Sequence, residues 1–198
     1  MEIKKIVLGS LETNCYIISQ NNKSLIIDPA DDEEKILASA PHEIVGIIIT
    51  HYHFDHIGAL LKLKEKLSCP TYDFQTLKEG TNNINGFSFE MIKTPGHKED
   101  LISLLFEDHL FCGDFIFKGT IGRWDLEGGS FLDVQKSIKK ILTYSENIII
   151  HPGHGEDTTL KNEKQNLLFY LKKDWNVLIC NFWISMTIIY FFIKLYII

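Results

Sequence analysis

Several signatures of common protein classes are absent from this chain. The four cysteines, Cys15, Cys69, Cys112 and Cys180, are scattered with no CxxC spacing, which suits a reducing compartment better than a disulfide framework. No stretch is dense in lysine or arginine, and the formal net charge is −6. An acidic balance of this kind argues against binding nucleic acid through its phosphates. The N-terminus, Met1-Glu2-Ile3-Lys4-Lys5, leads into an apolar stretch that ends at Gly9-Ser10, too brief for the core of a signal peptide. The expectation is therefore a cytoplasmic protein. There is no internal repeat and no low-complexity linker. The 198 residues, 45% hydrophobic and 23% charged, suffice to bury one core, and a single globular domain is expected over residues 1–174.

One long uncharged run stands apart. From Trp175 to Ile193 no residue is charged, and about 20 apolar residues suffice to span a bilayer. Asn176, Asn181, Ser185 and Thr187 dilute that signal. Residues 175–198 are thus a hydrophobic C-terminal tail with three readings open: a membrane anchor, a segment packed on the body or on a partner, and an altered reading frame.

Within the body, short β-like runs are expected at Ile3 to Leu8, Cys15 to Ser19, Ser24 to Ile27, Glu43 to Ile49, Phe87 to Lys93, Ile102 to Phe106, Leu110 to Phe111 and Asn147 to Ile150. Helix-forming composition marks Asp32 to Ala40, Gly58 to Leu67, Phe131 to Tyr144 and Lys161 to Lys172, and the last three place apolar residues at three- and four-residue spacing. A β-rich first half with inserted helices, followed by further strands and helices, predicts two packed sheets with helices outside.

The chemistry concentrates in Thr50-His51-Tyr52-His53-Phe54-Asp55-His56, which follows the apolar run Ile47-Ile48-Ile49. Strand residues alternate faces, so His51 and His53 can point the same way as the chain leaves the strand, and the loop carries Asp55 and His56 to a neighbouring position. One ion could not easily take all four. Nitrogen and carboxylate ligands without thiolates favour zinc, with iron, manganese or cobalt as competitors.

Three more strand-to-turn junctions each deliver a histidine or an aspartate: Thr94-Pro95-Gly96-His97, Gly113-Asp114 and His151-Pro152-Gly153-His154-Gly155. A site assembled at one end of a sheet requires such junctions. On spacing alone His151 and His154 compete for one role. His42 and His109, beside Pro41 and Asp108, read as solvated turn residues. Asp28, after Leu25-Ile26-Ile27, reads either as a turn former or as a carboxylate that orients a ligand imidazole. Arg123 and Asp125 are expected to line a substrate entrance or to pair with each other.

Taken in order, THYHFDH, TPGH, GDFIF and PGHG resemble the metallo-β-lactamase superfamily, and most of all its glyoxalase II-like hydrolases. Supporting stretches are Asn14-Cys15-Tyr16, Ile27-Asp28-Pro29, residues 119–126, and Thr158-Thr159-Leu160 with Glu163 and Asn166. The resemblance covers roughly residues 3–170 and implies an αββα sandwich with metals at one edge, although fold alone does not fix function. It also implies a ligand set. His51, His53 and His97 would hold a first metal, Asp55, His56 and His154 a second, and Asp114 would bridge them. The match to PGHG selects His154 over His151.

Two zinc ions, with iron or manganese as substitutes, would then share a hydroxide that attacks a small thioester such as a hydroxyacylglutathione, with Asp55 and Asp114 as the carboxylates at the reacting centre. A thiolate leaving group needs no proton, whereas an amide nitrogen would need an acid beside it. Two departures qualify the match. Lys98-Glu99-Asp100-Leu101 replaces the usual Thr and Gly-Ser after the motif histidine, changing charge close to the site. The helical C-terminal region that supplies glutathione contacts in glyoxalase II has no counterpart in the match, so the metal chemistry carries over further than the substrate. Two other readings stand beside this one. A mononuclear iron persulfide dioxygenase uses a similar first-metal triad on the same fold, and a metal-binding structural or redox module would have no open coordination position.

Overall fold

The computed structural model describes residues 1–172. The elements run β1 (Glu2–Leu8), β2 (Thr13–Gln20), β3 (Lys23–Ile27), α1 (Glu33–Ser39), β4 (Glu43–Ile48), α2 (Leu60–Lys66), β5 (Thr71–Tyr72), β6 (Gly80–Ile84), β7 (Phe87–Lys93), β8 (Ile102–Phe106), β9 (His109–Gly113), β10 (Ile116–Phe117), β11 (Thr120–Ile121), α3 (Phe131–Ile141), β12 (Ile149–Pro152), β13 (Thr158–Thr159) and α4 (Leu160–Lys172). The domain boundary expected at 174 and the hydrophobic tail at 175–198 lie outside the described residues. Among the described residues no helix is long and apolar enough to cross a membrane.

Two mixed sheets form the centre, one ordered β1-β2-β3-β4-β5 and the other β13-β12-β9-β8-β7-β6, with β10 and β11 as a separate ribbon. Strand alternation sorts consecutive apolar residues into three buried layers. Tyr16, Ile18, Leu25, Ile27 and Ile48 face Phe87, Met91, Leu104 and Phe111 between the sheets. Their neighbours Cys15, Ile17, Ile26, Ile47 and Ile49 pack outward against Ile36 of α1 and Leu60 and Leu63 of α2. On the far side, Leu110, Cys112 and Ile150 pack against Val134, Ile138 and Ile141 of α3 and Leu167 of α4. Strands covered on both faces need apolar residues at consecutive positions, as in Leu25-Ile26-Ile27 of β3 and Ile47-Ile48 of β4. The result is the expected αββα sandwich.

The expected elements form with small shifts at their ends. The helix predicted from Asp32 begins one residue later, because the Asp32 side chain accepts from the Lys35 amide and caps it. The strand expected at Asn147 to Ile150 lies at Ile149–Pro152 instead. It pairs in parallel with β9, with the register shifting between His151 and Pro152. Strands β5, β6, β10, β11 and β13 were not expected. Four of them are two residues long, and β6, Gly-Thr-Asn-Asn-Ile, is an edge strand whose composition is that of a turn.

Candidate metal centre

Both sheets end at one edge, and the turns leaving β3, β4, β7, β9 and β12 meet there. These turns are bound to one another through the backbone. Ile102 donates to the Thr50 carbonyl, Gly153 to Gly113, and Asn14 to Gly153, at 2.7 to 3.0 Å. At Gly153 a Cβ would stand 2.2 Å from Asp114 Oδ1 and 2.7 Å from His56 Cε1, so the chain approaches the site more closely than any side chain allows. Gly96 lies at φ 146°, where a Cβ would meet Val134 of α3 at 2.4 Å, and this turn delivers His97.

Seven side chains converge at the edge in two groups, His51, His53, His97 and Asp114 in one and Asp55, His56 and His154 in the other, with the potential ligand atoms of each group within 4.8 Å of one another. His53 Nδ1 lies 3.0 Å from His51 Nε2 and 2.8 Å from His97 Nε2. His154 Nε2 stands 3.3 Å from Asp55 Oδ2. Asp114 reaches both groups, with Oδ2 3.5 Å from Nε2 of His97 and of His154 and Oδ1 3.3 Å from His56 Nε2.

The far side of each ring decides which nitrogen offers a lone pair. His97 Nδ1 donates to the Arg123 carbonyl at 2.7 Å and His154 Nδ1 to the Leu11 carbonyl at 3.0 Å, which turns both Nε2 atoms toward the site. Asp28 governs two further rings. Its carboxylate accepts from His56 Nδ1 at 2.9 Å, from the Thr50 amide at 2.8 Å and from the Thr50 hydroxyl at 2.7 Å. Because the Thr50 hydroxyl proton goes to Asp28, its oxygen is free to accept from His51 Nδ1 at 3.1 Å. Asp28 also takes a left-handed turn, φ 51°, so both readings of that residue hold.

Electrostatics calls for positive charge here. Burial works against charging His56, yet Asp28 and Asp114 outweigh it and raise its pKa to about 10. Burial likewise opposes charging His154, and hydrogen bonds to Asp114 and Asp55 lift it to about 10. Burial would raise Asp114, but His154 and His56 hold its carboxyl well below the ordinary range. Asp55 is lowered in the same way, by His154, His56 and Thr13 against its burial. His51, by contrast, is held well below the usual histidine range by burial and by neighbouring His56. His56 Nε2 and Asp114 Oδ1, both buried, make no hydrogen bond. A buried ring nitrogen and a buried carboxylate oxygen without partners are groups that a bound cation would satisfy. The donor set of imidazole nitrogens and carboxylate oxygens without thiolate therefore fits a dinuclear metal site.

Other sequence-derived residues fall elsewhere. His151 points away from the centre. It stacks on Phe111, pairs with Asp157 at 2.9 Å through Nδ1 and meets His109 Nδ1 at 2.9 Å through Nε2. His109 is thus half-buried and partnered rather than simply solvated, while His42 is exposed. Arg123 lines the approach and pairs with Asp125, its Nε and Nη2 each 2.9 Å from a carboxylate oxygen. Support that the sequence did not reveal comes from Thr13, whose hydroxyl donates to Asp55 Oδ2 at 2.8 Å. The Leu11 carbonyl is another such support, and no sequence signal could mark it, since every residue has one. Buried Asp100, within the departure after His97, accepts from the Tyr52 amide at 3.1 Å and so ties that loop to the His51 turn.

Comparisons with known proteins agree with this geometry. The profile of the Metallo-beta-lactamase superfamily matches residues 8–77. A probable metallo-hydrolase of Bacillus subtilis, YqgX, is 30% identical over 83% of this chain and 95% of its own length. The hydroxyacylglutathione hydrolase GloC of Haemophilus influenzae is 29% identical over 87% of this chain and all of its own. Among solved structures, the BLEG-1 B3 metallo-beta-lactamase superposes with a TM-score of 0.81 at 30% identity, over 87% of this chain and all of that one. TTHA1623, in a di-iron-bound form, superposes with a TM-score of 0.75 at 29% identity, over 82% and 97%. Shared sequence, shared fold and two converging groups of histidine and aspartate at the sheet edge lead to one conclusion: this chain belongs to the metallo-β-lactamase superfamily and is a metallo-hydrolase of it.

Proposed function

We propose that the chain is a dinuclear zinc hydrolase of small thioesters, glyoxalase II-like in chemistry. His51, His53 and His97 would hold one ion, Asp55, His56 and His154 the other, and Asp114 both. The observation that carries this reading is the position of Asp114, whose two carboxylate oxygens face imidazoles of both groups. When bound, the ion pair supplies a hydroxide at neutral pH and a Lewis acid for the carbonyl oxygen. The protein residues do the positioning. Asp28, Thr50 and the carbonyls of Leu11 and Arg123 fix the tautomers. Asp55, held by Thr13, and Asp114 concentrate negative charge where cations must sit.

A thiolate leaving group needs no proton, and among the described residues lining the cleft there is no Tyr, Lys or Cys to serve an amide nitrogen, which favours an ester of a thiol. The cleft over the two groups has a volume of about 520 Å³, room for a small molecule rather than a polymer. Similarity to the hydroxyacylglutathione hydrolase GloC favours a thioester as the bond that is cleaved. Similarity to a di-iron-bound protein keeps iron as the competing metal. Metal content of protein purified without chelator, measured together with hydrolysis of S-lactoylglutathione, tests the proposal. Two zinc ions with turnover are expected. One iron without hydrolysis would overturn it in favour of the persulfide dioxygenase.

A further inference from the structure

The walls of the cleft differ in character from its floor. The floor is the metal-binding set. The walls are Leu11, Phe54, Phe117 and Leu126, with Arg123 at the rim. Three of the apolar side chains are left open to solvent, Phe54 at 76%, Leu11 at 50% and Leu126 at 42%. Single exposed apolar residues are ordinary, but four converging on the mouth of a reactive centre form a surface that gains by being covered.

Their placement follows from the site itself. Phe54 lies between His53 and Asp55. Leu11 lies at the β1–β2 turn, and its carbonyl receives His154 Nδ1. Phe117 borders His154, with ring centroids 6.1 Å apart. Leu11 and Phe54 also wall an adjoining recess of about 190 Å³ of mixed character, where Leu8 and Ala30 stand beside Ser10, Asp31 and Asp55, so the apolar surface is confined to the mouth of the cleft. Among the described residues lining the cleft, Arg123 is the one permanent cation, and both faces of its guanidinium fork used here already engage Asp125.

We propose that this collar is the subsite for an apolar acyl arm, so that the preferred substrates are thioesters of unbranched aliphatic acids rather than of short hydroxy acids. The inference rests on the thioesterase reading and names its substrate class. Water adds to the carbonyl carbon, the C–S bond breaks, the thiol leaves as thiolate and the aliphatic acid as carboxylate, and the two protons of the water pass to solvent. No redox partner is required. Each methylene that moves from water onto Leu11, Phe54, Phe117 and Leu126 contributes a roughly constant increment until the cleft is filled.

The test uses the metal-loaded full chain. Hydrolysis is followed for S-acyl thioesters of N-acetylcysteamine from acetyl to octanoyl and for the S-lactoyl ester of the same thiol, and binding of the corresponding free carboxylates is followed by calorimetry. The specificity constant kcat/KM is expected to climb about three- to fourfold per methylene over the first additions, with carboxylate affinity climbing in parallel and the lactoyl ester falling below the propanoyl one. Phe54→Ala should flatten both series, and Leu126→Ala should do so independently. Hydrolysis with no dependence on chain length would overturn the apolar subsite and leave the thioesterase intact. Carboxylate affinity that climbs with length in a protein that cleaves no thioester would support the subsite and overturn the activity. A lactoyl ester preferred over propanoyl, with flat carboxylate binding, would overturn the inference outright.

Discussion

The two halves of the metal centre are built differently. The His51, His53 and His97 group contains no carboxylate of its own, and its rings are oriented from nearby turns, by Thr50 and by the Arg123 carbonyl. The Asp55, His56 and His154 group is half-buried apart from His56, and its support comes from the N-terminal strands. Leu11 and Thr13 hold His154 and Asp55 across sequence separations of 143 and 42 residues. Asn14 and Tyr16 fix the turn carrying His154 through the Pro152 carbonyl, at 2.9 and 2.7 Å. The first half is therefore a property of the strand ends, and the second depends on the β1–β2 turn packing against them. Asp114 touches both halves, and Asp28 touches His56 directly and reaches His51 through Thr50.

That contrast can be broken at several points, beginning with the largest effect. Asp114→Ala removes the shared carboxylate and should lower turnover by more than about 100-fold, since even outer partners of metal ligands cost about 10- to 100-fold. Metal analysis of the same variant should find fewer than two ions per chain. A variant with full metal and full turnover would refute the site assignment. Asp28→Ala should weaken metal binding at both halves by about 10- to 100-fold, because His56 and, through Thr50, His51 each lose their orientation. Thr13→Val should affect only the second half. Competitive titration with a chromophoric chelator separates the two affinities, and equal weakening by both variants would remove the distinction between the halves.

His154→Ala should cost far more activity than His151→Ala. The second substitution strips a buried imidazole from Asp157, His109 and Phe111 and should cost about 1–3 kcal/mol of stability in denaturant unfolding, with metal retained. The reverse ranking in activity would mean that the other histidine is the ligand. The smallest effect concerns pH. In metal-free protein His56 and His154 titrate near 10, above the value of about 6.5 expected when unfolded. Their contribution is complete below about 6.5 and is lost as pH rises toward 10. Thermal unfolding of chelated protein should therefore weaken across that alkaline window, more steeply than that of metal-loaded protein. Parallel pH profiles would contradict the charge balance.

Much of this candidate centre could be read from the sequence because its histidines and aspartates cluster at strand ends. His51, His53, Asp55 and His56 lie in one loop, and His97, Asp114 and His154 each follow an apolar run and a glycine. The layered fold was legible for the same reason. Runs such as Ile47-Ile48-Ile49 are apolar at every position because both faces of their sheet are covered. What escaped was whatever depends on contact rather than pattern. Strand β6 is Asn-rich and pairs only because β7 lies beside it. His109 looks solvated beside Asp108 until β12 brings His151 against it. Thr13 and the Leu11 carbonyl support the second half of the centre, yet neither residue type marks a site.

Counting metal ions in the wild-type chain and in His154→Ala, both purified without chelator, tests the two-part centre most directly. The geometry predicts two ions per chain in the first and one in the second, with the remaining ion on His51, His53 and His97. One ion in both proteins would contradict a dinuclear centre, and none in the variant would contradict the independence of its halves.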